Sequence, residues 1–182
     1  MDKGLIPRRY AKALFEVAAE RRDDAAVYSL MQSLAASFAA EPALATTVAN
    51  PFVTVDDKIA LLTQAAGGKL GAADATYQDF LKLLGTNRRL DMAWDIARAY
   101  IDLYRSANNI YRVMVESAAP LSDKDRKRLE AIIAAHVGKG SMEYDYRINP
   151  ALIGGFTVTV NSERLDASVA NQLKQLRLQL IG

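Results

Sequence analysis

Hydrophobic and polar residues follow a helical spacing through the first hundred positions of the chain. This segment has no sustained β-type alternation, and its proline and glycine breaks fall at intervals typical of helices. Thr54 precedes one helical stretch as a cap, with Asp57 three positions later as its capping-box partner. Six helices are therefore predicted, over about residues 7–22, 24–40, 42–49, 55–66, 72–86 and 89–106.

The sixth predicted helix combines a narrow polar stripe with a wide apolar surface. At about 100° per residue, apolar side chains that include Trp94 and Tyr100 cover most of its circumference. This pattern predicts a helix at the centre of a bundle, with Trp94 in the core. The polar stripe consists of Asp91, Asp95, Arg98, Asp102 and Arg105.

The hydrophobic period changes from 3.6 to 2 after Asn109. Strands are predicted over 110–117, 142–148 and about 156–160, and a helix capped by Ser122 ends near Gly138. A final helix is predicted to start at Ser168. The predicted fold is mainly α, with an N-terminal six-helix bundle (residues 1–106) followed by a small C-terminal α+β domain (residues 107–182).

Composition excludes several kinds of chemistry. The chain has no cysteine, so disulfides, thiolate catalysis and cysteine-based metal sites are excluded. Its formal net charge of +2 is too small to predict a polyanionic partner over the whole surface. The first residues lack a secretory hydrophobic segment, and no stretch approaches the ~20 apolar residues of a membrane span, so the expected location is the cytoplasm.

Candidate catalytic and cofactor sites are weak. His136 is the only histidine, and its place late in a helix favours a helix-end role over catalysis. Gly67-Gly68-Lys69 lacks the spacing of a phosphate-binding loop and is interpreted as a helix stop. We therefore predict no catalytic residue, no metal site and no cofactor, and these absences favour a binding role.

A short basic run leaves one alternative function open. Lys124, Arg126, Lys127 and Arg128 lie in the predicted helix after Ser122, where acidic neighbours dilute them. A solvated helix face is the favoured interpretation. An RNA-binding module is the alternative, although no aromatic residues are interleaved with the charges.

The first predicted helix has more apolar surface than a bundle helix needs. Arg9, Lys12, Glu16 and Glu20 fall within about 80° of its circumference, and apolar residues fill most of the remainder. Either this helix is buried on two sides within its own bundle, or one side faces a partner. The sequence pattern leaves both explanations open.

Several segments together resemble one protein family. Arg9-Tyr10-Ala11-Lys12-Ala13-Leu14-Phe15 resembles the opening R-x-Y-A-x-A-L/A-F of ATP synthase delta subunits and of their mitochondrial counterpart, the oligomycin-sensitivity-conferring protein. Asn87-Arg88-Arg89-Leu90 resembles the family's N-x-R-L step. Residues 152–156 and 165–169 resemble L-x-G-G followed by I-D-G-S-V. Two turns depart from the family pattern, with Asn161-Ser162 in place of Gly-Asp and Ala167 in place of glycine.

This resemblance implies a non-catalytic stator subunit of an F-type ATP synthase. Such a subunit links the catalytic head to the peripheral stalk and resists rotor torque during proton-driven ATP synthesis. The implied partners are the N-terminal helix of an alpha subunit and the C-terminal end of the b subunit. The implied location is peripheral, on the cytoplasmic face of the bacterial cell membrane, with membrane contact only through the complex and no nucleic acid bound.

The resemblance also implies two sets of residues. A groove between the first and fifth helices would receive the alpha-subunit helix. Its expected lining residues are Tyr10, Ala13, Leu14, Val17, Asp79, Phe80 and Leu83. The second set is structural: Gly154 and Gly155 let the chain bend into a strand, and Asp166 and Ser168 are expected to cap the last helix.

Overall fold

The computed structural model describes residues 4–68, 71–152, 154–161 and 163–168. The chain forms two compact units, Met1–Tyr104 and Arg105–Gly182. The mainly helical fold class with a small sheet is confirmed.

The described part of the first unit consists of α-helices joined by short turns. Two 3-10 turns, Gly71–Ala73 and Leu90–Met92, precede the last two of these helices. The helices are α1 (Leu5–Arg21), α2 (Asp24–Ala40), α3 (Pro42–Ala49), α4 (Val55–Ala65), α5 (Asp74–Thr86) and α6 (Ala93–Ala107), the last of which continues three residues past Tyr104.

The helix ends follow the local sequence signals. Pro42 begins α3, where its missing N–H would have no helical partner in any case. The Thr54 hydroxyl oxygen accepts a hydrogen bond from the Asp57 backbone N–H at 3.2 Å, which confirms the predicted cap of α4. After α1, Arg22 adopts a left-handed conformation with φ of 59°, and its N–H donates to the last carbonyls of the helix.

Two buried tyrosines organise the core of the first unit. Tyr77 of α5 donates its hydroxyl to the Leu62 carbonyl at 3.1 Å, and Tyr100 of α6 donates to the Asp24 carbonyl at 3.2 Å. Burial raises the pKa of both phenols above its ordinary value of 10, and nearby Asp24 raises that of Tyr100 further. These bonds join α5 to α4 and α6 to α2.

The prediction that Trp94 belongs to the core is wrong. Its side chain is 38% exposed and stacks on Phe38 with ring centroids 6.1 Å apart, while the Arg98 guanidinium lies 5.7 Å from its ring. The buried residues of α6 form one ordinary amphipathic stripe, and Trp94 lies beside it. The stripe consists of Ala93, Ile96, Ala97, Tyr100, Ile101 and Tyr104.

The second unit contains one helix and a four-stranded sheet within its described residues. The sheet order is β2-β1-β3-β4, with β1 and β2 parallel and the other two pairings antiparallel. The elements are β1 (Ile110–Ser117), α7 (Asp123–Val137), β2 (Ser141–Ile148), β3 (Gly155–Val160) and β4 (Glu163–Ser168). The bounds of β1 match the prediction.

The predicted alternation places one face of this sheet against α7. Val113 and Val115 of β1 are fully buried with Val158 of β3, and Leu129 and Ile133 of α7 complete this cluster. The opposite face includes charged side chains. There Arg147 pairs with Asp145 at 2.8 Å, and Arg112 reaches the same carboxylate at 3.6 Å. The sheet therefore has one dry face, as the sequence predicts.

The final strand corrects the predicted end of the chain. Asp166 lies within β4, paired with Thr157, and Ser168 pairs with Gly155 at its end. Asp166 is thus in a strand and not at a helix start. The predicted final helix beyond Ser168 lies outside the described residues. Gly155 has φ of 80°, a conformation that favours glycine and accounts for the bend predicted there.

The departure from the family pattern at Asn161 has a physical explanation. Asn161 has φ of 52°, which asparagine tolerates better than most residues other than glycine. Its backbone N–H donates to the Arg112 carbonyl at 2.9 Å, and its side-chain oxygen accepts from the Arg112 N–H at 3.2 Å. The side chain therefore adds a bond that glycine could not make.

Candidate partner-binding groove

Helices α1 and α5 run in opposite directions along a shared contact. Arg21, at the end of α1, reaches Thr76 near the start of α5, whereas Leu83 near the end of α5 lies by the start of α1. Between them is a groove of about 390 Å³. It is lined by Ile6, Arg9, Tyr10, Ala13, Leu83 and Arg89.

The floor of this groove is apolar and open to solvent. Ala13 is exposed, Tyr10 is half-buried and Leu83 is 48% exposed. Val17 is 40% exposed and lies one turn beyond Ala13 on the same side of α1. Three expected contact residues, Tyr10, Ala13 and Leu83, therefore line the groove, and Val17 is accessible on the same side of α1 without lining it. This arrangement favours the explanation that α1 keeps apolar surface beyond what its own unit covers.

Two other expected residues lie in the core instead. Leu14 is 4% exposed and Phe80 is 7% exposed. Leu14 is rotated by about 100° from Ala13 on the helix, so it points inward when Ala13 points outward. Together with Ala11 and Ala18 it forms the buried stripe of α1. These residues hold the groove's walls in place and do not line it.

Asp79 belongs to a polar network at the far end of the groove. The Arg21 guanidinium donates to the Asp79 carboxylate from both terminal nitrogens at 3.2 Å, and one of them also donates to the Thr76 hydroxyl at 3.1 Å. Thr76 in turn donates to the Asp23 carboxylate at 2.6 Å. This network ties the end of α1 to the beginning of α5 and neutralises Asp79.

Sequence reasoning missed three lining residues. Ile6 precedes Tyr10 by four residues and Ala13 by seven, so helical spacing could have placed it on the same face. Arg9 was assigned to the polar side of the helix, and it forms the edge of the groove. Arg89 follows α5 and approaches the groove only through the turn at Arg88, where φ is 55°, so no local spacing predicts it.

The described residues form an accessible binding surface and bring few reactive or metal-binding side chains together. Within them, no three aspartate, glutamate or histidine side chains lie close enough together to hold a metal ion. No helix in the described part of the chain is long and apolar enough to cross a membrane. The groove itself presents two guanidinium groups, one phenol and aliphatic side chains. Such a lining suits an apolar partner with charges at its rim.

Comparisons with known proteins agree along the whole chain. The family model described as ATP synthase delta (OSCP) subunit matches residues 6–180. The ATP synthase subunit delta of Parabacteroides distasonis is 36% identical over 181 residues, covering 100% of this chain and 98% of that protein. The subunit delta of Bacteroides thetaiotaomicron is also 36% identical, over 100% of this chain and 96% of that protein.

A solved structure adds the evidence of the fold. One chain in the cryo-EM structure of the Toxoplasma gondii mitochondrial ATP synthase hexamer superposes with a TM-score of 0.70 at 26% identity. The match covers 97% of each chain. The family model, the relatives and the fold therefore all indicate the same family. This chain belongs to the ATP synthase delta (OSCP) subunit family.

Proposed function

We propose that this protein is the stator subunit that links the catalytic head of an F-type ATP synthase to the peripheral stalk, without catalysing a reaction itself. The observation that carries this proposal is the open apolar groove between α1 and α5. A protein of this family with an accessible, preformed groove is suited to hold a partner helix. Membership of the delta family supplies the complex in which that partner is found.

The groove fits an amphipathic helix, and we assign it to the N-terminal helix of the alpha subunit. The accessible face from Ile6 to Val17 covers eleven helical steps, or about 16 Å at 1.5 Å per residue. A partner helix could lay about three turns along it. Residues three or four apart would then meet Tyr10, Ala13, Val17 and Leu83 as successive anchors.

The two halves of the chain would bind different partner subunits. The N-terminal six-helix bundle, residues 1–106, presents the groove to the head. The C-terminal α+β domain, residues 107–182, meets the C-terminal end of the b subunit, as the family resemblance implies. The protein would then be peripheral, on the cytoplasmic face of the cell membrane, and reach the membrane only through the complex.

The mechanism that follows is mechanical. Proton flow turns a central rotor inside the head, and the head must not turn with it. A link between head and stalk therefore has to dissociate slowly under load. Closely packed apolar contacts lower dissociation rates, whereas charges at the rim chiefly change association rates. The apolar floor of the groove and its charged ends provide both kinds of contact.

Removal of the proposed partner segment tests this function directly. The immobilised chain is incubated with purified catalytic heads, prepared with full-length alpha subunits or with alpha subunits shortened by about 20 N-terminal residues, enough for roughly five helical turns. Only the full-length heads are expected to be retained. Equal retention of both preparations would remove the alpha-subunit helix from the account.

The RNA-binding alternative lacks support. No relative or solved structure described above is named as an RNA-binding protein. Arg126 of the basic run lies 5.0 Å from the Tyr146 ring, a contact within the second unit. Aspartates occupy the first turn of α7 among the same cations. We therefore do not propose it further.

A further inference from the structure

Strand β2 forms one edge of the sheet in the second unit. It runs for eight residues, Ser141–Ile148, and pairs with β1 along one side. No strand within the described residues pairs with its other side. The strand contains no proline. An open edge of this length presents backbone groups that can pair with another strand.

The hydrogen bonds at the two ends of β2 show which backbone groups face outward. The Ser141 N–H donates to the Asn109 carbonyl at 3.1 Å, and the Asn149 N–H donates to the Ser117 carbonyl at 2.9 Å. Both bonds lie on the β1 side. Because successive residues of a strand point in opposite directions, the odd-numbered residues direct their N–H groups to β1 and the even-numbered residues direct theirs outward. The outward set consists of Met142, Tyr144, Tyr146 and Ile148.

The side chains of β2 are divided between the two faces of the sheet. Those of the outward set lie on the α7 side, where the first three pack against the buried cluster. Ile148, at the end of the strand, is 58% exposed. The opposite face carries two acids followed by a base, in the order Glu143, Asp145 and Arg147.

This order of charges makes the edge complementary to a second copy of itself. If two β2 strands pair antiparallel about a two-fold axis at Asp145, Glu143 of each chain lies opposite Arg147 of the second copy. These positions are non-hydrogen-bonded pairs, in which opposite side chains approach most closely. Asp145 faces its own equivalent, and Arg147 at 2.8 Å and Arg112 at 3.6 Å offset its charge within its own chain.

The same register also pairs the apolar side chains of the edge. Met142 lies opposite Ile148 of the second copy, and Tyr144 lies opposite Tyr146 of the second copy. Their outward N–H and C=O groups then form the hydrogen-bonded pairs of the ladder. Cross-strand aromatic pairs stabilise a sheet, and the exposed Ile148 gains an apolar neighbour. A register moved by two residues shortens the paired segment from 142–148 to 142–146 or 144–148.

We propose that two copies of this chain associate through the outer edges of β2, so that the sheet continues from one copy into the other. A second copy is the occupant because the charged and the apolar side chains of this edge both match their own reversed order. The inference goes beyond the proposed function and uses residues of the second unit only. The paired segment spans six steps, or about 20 Å at 3.4 Å per residue. A contact of this size is typical of weak, reversible association.

Charge exchange between copies tests this arrangement. Glu143→Arg places arginines opposite each other at both symmetry-related positions, and Arg147→Glu places glutamates there. Each variant alone should self-associate about tenfold more weakly at low salt, since two exposed ion pairs are lost and each changes an equilibrium constant by about 1.4-fold to fivefold. A mixture of the two variants restores opposite charges at both positions and should dimerise as the wild-type chain does.

Sedimentation velocity over a range of concentrations measures these association constants, and circular dichroism verifies folding. Lys127→Glu is the matched control for Arg147→Glu, because it makes the same charge change at an exposed residue of α7; it should associate like the wild-type chain. Glu143 also bonds Arg105 of its own chain at 2.6 Å. Recovery in the mixture is therefore the decisive result, since mixing does not repair a defect within one chain.

Two outcomes of this experiment would overturn the proposal. One is a wild-type chain that stays monomeric at about 1 mM. The other is a wild-type dimer whose strength neither variant changes, or which the mixture of variants fails to restore.

Amide hydrogen exchange locates the contact. Exchange at the outward N–H groups of Tyr144 and Tyr146 should slow as the protein concentration rises. Exchange at Glu143 and Asp145, whose N–H groups face β1, should change little. A dimer that forms without slowing exchange at the two tyrosines would contradict pairing through β2.

Discussion

Replacement of Ala13 by aspartate should weaken partner binding and leave the chain folded. Ala13 lies on the exposed side of α1 and forms part of the groove floor. In the free protein the new carboxylate would remain in water. The change then costs about 0.7 kcal/mol in helix propensity. Arg9, one turn earlier, would return only about 0.2 kcal/mol as an ion pair, because a cation that precedes its acid along a helix pairs more weakly than the reverse order. For a unit of this size, the melting temperature should fall by only a few degrees.

The effect on binding should be much larger. A partner helix seated on the groove would bury the same carboxylate against apolar side chains. Burying a polar group without a matched partner costs roughly 1–3 kcal/mol by mutational measurements. A value of about 2 kcal/mol corresponds to a Kd raised about 30-fold. The ion pair with Arg9 offsets only a small part, since exposed pairs of this spacing are weak.

The assay is calorimetric titration of an alpha-subunit N-terminal peptide, combined with thermal melting. Ala19→Asp is the matched control, because Ala19 is also exposed on α1 but is rotated by about 120° from Ala13. The control should bind the peptide as the wild-type chain does. If the Kd of Ala13→Asp equals that of the control, the groove does not receive this helix.

Three further predictions concern stability. Trp94→Ala should lower the free energy of unfolding by about 2 kcal/mol, less than the ~3–5 kcal/mol expected for the fully buried Tyr100→Ala, because Trp94 is partly exposed; equal losses in chemical denaturation would refute this ranking. Thr54→Ala should cost about 1 kcal/mol by removing the cap of α4, and Thr54→Ser, which keeps the hydroxyl, should melt near the wild-type temperature. Stability should also fall as pH rises above 10, since the pKa of Tyr77 is raised in the folded chain and the unfolded chain ionises first; Tyr77→Phe should make the pH dependence of denaturation shallower in that range.

The helices were the most predictable part of the fold. Their ends depend on local signals such as Pro42 and the Thr54 cap, which act within one turn and can be identified in the sequence. The strand β1 was equally clear, because its alternation places Val113 and Val115 on a single buried face. In these elements, the structure that the local sequence favours is also the one that buries the apolar side chains.

The strand β4 was not predicted, and the reason is its sequence. Glu163 to Ser168 mixes charged and small residues, so its alternation is weak. The preceding turn carries its signal in Asn161, whose positive φ suits the short connection that joins antiparallel strands. Considered with β3, this residue could have indicated a hairpin.

The candidate groove could be predicted in outline only. The excess apolar arc of α1 identified the right helix, but a helical wheel cannot tell which part of a wide arc faces inward. Leu14 therefore lies in the core and Ala13 lines the groove, although the two residues are adjacent in the sequence. Trp94 was misplaced for the same reason. Arg89 reaches the groove through tertiary structure alone, which no local pattern reveals.

Retention of the catalytic head on membranes shows whether the groove between α1 and α5 holds the head to the stalk. Membranes assembled with the wild-type chain, Ala13→Asp or Ala19→Asp are washed, and the ATPase activity that stays bound is compared with the activity released. Ala13→Asp membranes should lose most of their heads, while the other two keep them. If all three keep their heads equally, the groove between α1 and α5 is not what holds the head to the stalk.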